Sequence, residues 1–146
     1  MIIKQKKGRW CGPVALMNAH KLQGHRITPR HYKEYERKTG YNKLLKRGRH
    51  LLLYQEIFDA GGRIYKRNSI KSMEKALDSG CSLLVVDFRK KSAHIYNVYR
   101  HTRTKFLCVN KDFIGEHWVS KTEFDRLLHD RTVEITIWKV PKLQRK

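Results

Sequence analysis

Cys11 opens the apolar run Cys-Gly-Pro-Val-Ala-Leu-Met, six positions after Gln5. A cysteine at the start of a helix, with an amide side chain just upstream, is what a thiol nucleophile and its oxyanion hole require. The first turn of a helix carries partial positive charge and unpaired N–H groups, which favour thiolate over thiol. The Gln5 amide and the Cys11 main-chain N–H could then converge on a developing oxyanion. Such a thiol also needs a base, and the base needs an acceptor that fixes its tautomer.

The chain offers eight histidines as that base. His20, nine residues along the first predicted helix, faces away from Cys11. His25, His31, His50, His101 and His129 stand in Lys/Arg-rich polar segments and read as solvated, and His117 precedes Trp118 in a predicted turn. His94 differs. It begins Ala-His-Ile-Tyr-Asn-Val-Tyr, a strand-like stretch directly after a polar turn, and Asn110 follows sixteen residues later at the end of the next predicted strand. A short hairpin at about 100–104 sets the start of one strand beside the end of the other. His94 and Asn110 are therefore expected neighbours. Asp112 is the alternative partner if the second strand runs two residues further.

The elements that would hold these groups divide the chain in two. The first part reads as helical: Cys11 to Leu22 with Pro13 tolerated in the first turn, a helix opened by Thr28-Pro29 and ending near Gly40, and a third over 51–60 closed by Gly61-Gly62. A short strand, 63–66, and a Ser69-capped helix through Leu77, stopped by Gly80, lead into the second part. There the period changes to that of strands: 82–88, 94–100, 105–110 and 133–140, with a Ser120-started helix over 121–128 before the last. Helices first and mostly antiparallel strands after is an α+β layout.

The sequence has 146 residues, enough for one domain and too few for two ordinary ones, so residues 1–146 read as a single unit with a frayed tail at 141–146. A hydrophobic content of 40% excludes a disordered chain despite 32% charged residues. Three cysteines at wide, unequal spacings (Cys11, Cys81, Cys108) form neither a disulfide framework nor a zinc pattern, and no metal or cofactor is expected. Cys81 and Cys108, in strand-like apolar settings, read as core. No stretch is apolar enough to span a bilayer and no signal peptide is visible, so the expectation is a soluble protein of a reducing cytoplasm. Met1 lies only four residues before Gln5, so no propeptide is expected to block the site.

Lys+Arg number 33 against 13 Asp+Glu, a formal net charge of +20. Charge of that size calls for an anionic partner: nucleic acid or another polyanion met without sequence preference, or an acidic peptide substrate. No known nucleic-acid-reading motif is present among the basic runs.

On its own Cys11 would read as a small core hydrophobe. Gln5-x5-Cys11-Gly12-Pro13, then His94, then Asn110, in that order and spacing, reverse this. Together they resemble the papain-like cysteine peptidases, most closely the C39 and C39-like group. The resemblance covers essentially the whole chain in element order. It implies a papain-like α+β fold, with the nucleophile helix of the N-terminal part packed on a C-terminal antiparallel sheet. It implies Cys11 as nucleophile, His94 as general base and acid, Asn110 as the orienting residue and Gln5 in the oxyanion hole, with no metal. The departures are Ala93-His94 where the group usually has Gly-His, and Asn110-Lys111 where it usually has Asp-Pro. The expected function is cleavage of a peptide or isopeptide bond through an acyl-enzyme. The alternative is a papain-fold protein of weak or absent activity that binds nucleic acid or another polyanion. Size and charge would suit a phage or other virus, in the virion or host cytosol.

Overall fold

A computed structural model describes residues 11–23, 26, 28–31, 33, 63–64, 69–89, 92–111 and 115–140. In chain order they form α1 (Cys11–Leu22), a 3-10 turn (Pro29–His31), β1 (Arg63–Ile64), α2 (Ser69–Asp78), β2 (Ser82–Arg89) and β3 (Ser92–His101). β4 (Lys105–Val109), β5 (Glu116–Ser120), α3 (Lys121–Leu128) and β6 (Glu134–Val140) complete the set. Gln5, Asp112, the predicted helix over 51–60, nearly all of the one ending near Gly40, and the tail at 141–146 lie outside the described residues.

The strands make one sheet in the order β1-β6-β2-β3-β4-β5, antiparallel at every pairing. With helices on it, the fold is α+β. Since β1 and β2 both run antiparallel to β6, they are parallel to each other, and α2 is the crossover that joins them. Gly80 ends α2 with φ of 95°, and its N–H reaches the Leu77 carbonyl at 3.1 Å. The Cys81 N–H returns to the Ala76 carbonyl at 3.1 Å, completing a left-handed helix stop that glycine accommodates without a Cβ clash.

Period-two alternation sends the apolar strand residues to two covered faces. Leu83, Val85, Tyr96, Val98, Phe106, Cys108, Ile135 and Ile137 pack with Met73 and Ala76 of α2 and Phe124 and Leu128 of α3. Phe124 meets Phe106 edge to face, ring centres 5.5 Å apart. The alternate residues, Leu84, Val86, Ile95 and Asn97 among them, face α1, whose residues Val14 to His20 are all buried. One bond locks that face: the buried Asn97 Nδ2 donates to the Ala15 carbonyl at 2.8 Å.

Two expectations need correction. Residues 116–120 form strand β5 rather than a turn, paired along β4 from Lys105↔Ser120 to Val109↔Glu116. The Glu-His-Trp-Val-Ser alternation buries Val119 and leaves Trp118 outward, 46% exposed. His101 is not solvated. Its Nε2–H donates to Asp78 Oδ1 at 2.7 Å and its Nδ1 accepts from Lys121 Nζ at 3.1 Å, which also meets Glu74 at 3.4 Å. Among the described residues no helix is long and apolar enough to cross a membrane.

Candidate active site

The β3–β4 hairpin brings His94 and Asn110 together. It turns at Thr102, whose N–H donates to the Lys105 carbonyl at 2.8 Å, and its ladder runs through Val98↔Cys108 and Asn97↔Val109. The ladder then stops, because Asn110 adopts φ of 63° and sends its N–H to the Gly115 carbonyl at 2.8 Å. Asparagine tolerates the left-handed region better than most residues, and Gly115, at φ of 89°, shares the strain of the turn. Carrying the register on would set Asp112 across from His94, but β4 ends before it.

His94 Nε2 lies 2.6 Å from the main-chain oxygen of Asn110. A carbonyl only accepts, so Nε2 carries the proton and Nδ1 is the basic nitrogen of the neutral ring. That Nδ1 is buried, and the ring stacks on Tyr96 at 6.0 Å and 26°. His94 and Asn110 are neighbours, as their spacing led one to expect, and the contact is made by the Asn110 main chain.

The direction of α1 follows from its contacts. Ala15 sits over Asn97, and Leu22 and Gln23 share a cleft of about 460 Å³ with Ser82, Tyr99 and Arg100. Gln23 Nε2 also donates to the carbonyl of Val140, the last residue of β6, at 2.7 Å. The helix therefore runs alongside β3 in the same sense. Its first residue, Cys11, lies about 6 Å before Ala15 at 1.5 Å per residue. His94 lies about 10 Å before Asn97 at 3.3 Å per residue. The start of α1, the start of β3 and the end of β4 share one end of the sheet. By the pleat, His94 belongs to the Tyr96 side of the sheet and α1 to the Asn97 side.

A further residue joins them that spacing alone did not single out. Asp87 of β2 pairs directly with His94 and is buried, with Ile135 of β6 on its other flank. A carboxylate inside Leu-Leu-Val-Val-Asp-Phe is the signal that could have found it, because buried carboxylates are rare without a polar reason. Cys108 is core, as expected, whereas Cys81 is half-buried and lines the far cleft. Among the described residues no group of three His, Cys, Asp or Glu side chains converges on a metal-sized site.

No protein-family model, no curated protein and no solved structure matches this chain.

Proposed function

We propose that the chain is a papain-like cysteine peptidase of the C39-like type that cleaves peptide or isopeptide bonds through an acyl-enzyme on Cys11. The observation that carries this reading is the Nε2–H bond of His94 to the Asn110 carbonyl, at the end of the sheet toward which the α1 N-terminus points. It makes Nδ1 the nitrogen that takes the thiol proton. The Cys11 thiolate adds to the scissile carbonyl carbon, and the oxyanion is held by the Cys11 N–H and the Gln5 amide. Collapse breaks the C–N bond as Nδ1 returns its proton to the leaving amine. Water then loses a proton to Nδ1, adds to the thioester and releases the acid, restoring the thiol. The test is the pH dependence of Cys11 alkylation, with Cys81 and Cys108 as controls. Cys11 should react far faster than either at neutral pH, and His94→Ala should remove the advantage. A Cys11 that alkylates like an ordinary thiol would end the enzyme reading.

The charge favours a second reading in the same molecule. With 33 basic against 13 acidic residues, at least twenty cationic side chains have no acidic residue to pair with. Binding to a polyanion follows by counterion release, whatever its sequence. Cys11→Ala should leave such binding unchanged and steeply salt-dependent. Under the peptidase reading the same surface selects acidic substrates, and a peptide library cleaved with no preference for acidic flanks would remove that role.

A further inference from the structure

His94 bonds the main-chain oxygen of Asn110, a group any residue at position 110 would supply. What that position must provide is a left-handed backbone that turns its oxygen toward the ring, and the N–H bond to Gly115 holds it there. A neutral carbonyl orients an imidazole but does little to balance it once protonated. The nearest negative charge in the ladder is Asp87. In a direct antiparallel pair both side chains leave the same side of the sheet, with Cβ atoms about 5 Å apart.

We propose that the third role beside Cys11 and His94 is divided: the Asn110 main-chain carbonyl orients the imidazole, and the Asp87 carboxylate, one strand over, balances its positive charge. This rests on the peptidase reading above for its catalytic meaning. Among the described residues, Asp87 is the acidic residue in direct register with His94. Tyr96 on β3 contributes a ring face, Asn110 on β4 a neutral carbonyl, and Ile135 on β6 an apolar flank, with Lys111 just beyond the end of β4. On α2, Ser69 and Met73 are buried, Lys71 and Lys75 are exposed, and Glu74 is held by Lys121.

The experiment takes the full chain in three forms: unmodified, Asn110→Gly and Asp87→Asn. Glycine keeps both the left-handed backbone and the carbonyl while removing the side chain. Asn110→Gly should therefore retain the Cys11 alkylation advantage, and losing it as completely as His94→Ala does would return the orienting role to the side chain. Asp87→Asn should move the His94 imidazole titration, followed by NMR in a Cys11→Ser background, to lower pH. The sign follows because a carboxylate neighbour favours the protonated ring and its removal disfavours it. A titration that does not move overturns the charge-balancing role. Circular dichroism verifies that each variant folds. Should Asp87→Asn fail to fold, the imidazole nitrogen shifts of the unmodified chain still decide the orienting half: a proton on Nδ1 instead of Nε2 would overturn it. If Cys11 shows no special reactivity even unmodified, the peptidase reading fails, and the Asp87–His94 coupling is still read by NMR alone.

Discussion

Strand β3 carries a histidine near each end, and the two are held in opposite ways. At His101 both ring nitrogens are engaged by side chains: Nε2–H by Asp78 and Nδ1 by the Lys121 ammonium. An ammonium can only donate, so Nδ1 must stay unprotonated, and a ring committed on both sides has no proton-transfer role open to it. At His94 the bond to the Asn110 carbonyl fixes one nitrogen and defines the other as basic. The first arrangement ties three elements together: α2 through Asp78 and Glu74, β3, and α3 through Lys121, whose charge also lies 5.2 Å above the Phe106 ring. The second, under the peptidase reading, prepares a base. Residue type is the same at both ends, and the partners set the difference.

The comparison can be broken most decisively by exchanging the outcomes. His94→Ala should lower Cys11 alkylation at neutral pH by about a hundredfold, at the lower end of what a general base supplies. His101→Ala should leave that rate nearly unchanged and lower the melting temperature instead; equal effects on both readouts would erase the distinction. Phe124→Ala, in the core beneath the His101 end, should cost about 3–5 kcal/mol in denaturant unfolding and leave the His94 tautomer intact. Lys121→Met keeps the apolar stem over Phe106 but loses the bonds to His101 and Glu74. It should cost about 1 kcal/mol and release the His101 tautomer, as read by NMR.

The smallest effect belongs to Tyr99, beside the His101 end. Burial first, and then the hydrogen bond and charge of Glu116, push its phenol up from 10.0 to about 12. The fold thus favours the protonated phenol, so this contribution is complete below pH 10.0 and is lost as pH rises through about 12. Glu116→Gln should lower that titration, as seen in the phenolate absorbance difference against Tyr99→Phe.

Much of the fold was legible in the residues themselves. The apolar run after Cys11, the Ser69 and Ser120 helix starts, the Gly80 stop and the Ser82–Phe88 run each act within a few positions, and their elements appear within a residue or two of where local patterns put them. The nearness of His94 and Asn110 was legible too, because a short hairpin turns sequence spacing into spatial register. What escaped depends on contacts between distant segments or on atoms rather than residues. His101 looks like one more polar histidine until the end of α2 and the start of α3 are seen converging on it. Asp87 gains its meaning from a pairing that no local pattern specifies. β5 is short and polar enough to pass for a turn. That the Asn110 oxygen meeting His94 belongs to the main chain is set by one positive φ, which spacing does not reveal.

The β3–β4 ladder shifts register between Val98 and Arg100, so that Val98 faces Cys108 and Arg100 faces Leu107. One extra residue on β3 changes the parity of everything beyond it. His94 and His101 are seven positions apart, an odd number that would place them on opposite faces of a regular strand. The inserted residue makes the count even, so both rings lie on the α2–α3 face, His94 beside Tyr96 and His101 beside Phe106. Deleting one residue here while keeping the composition of the strand would force a choice. Either the His101 cluster keeps its seat and His94 turns to the α1 face, or the reverse. Indels in this three-residue stretch should therefore be far less tolerated than substitutions.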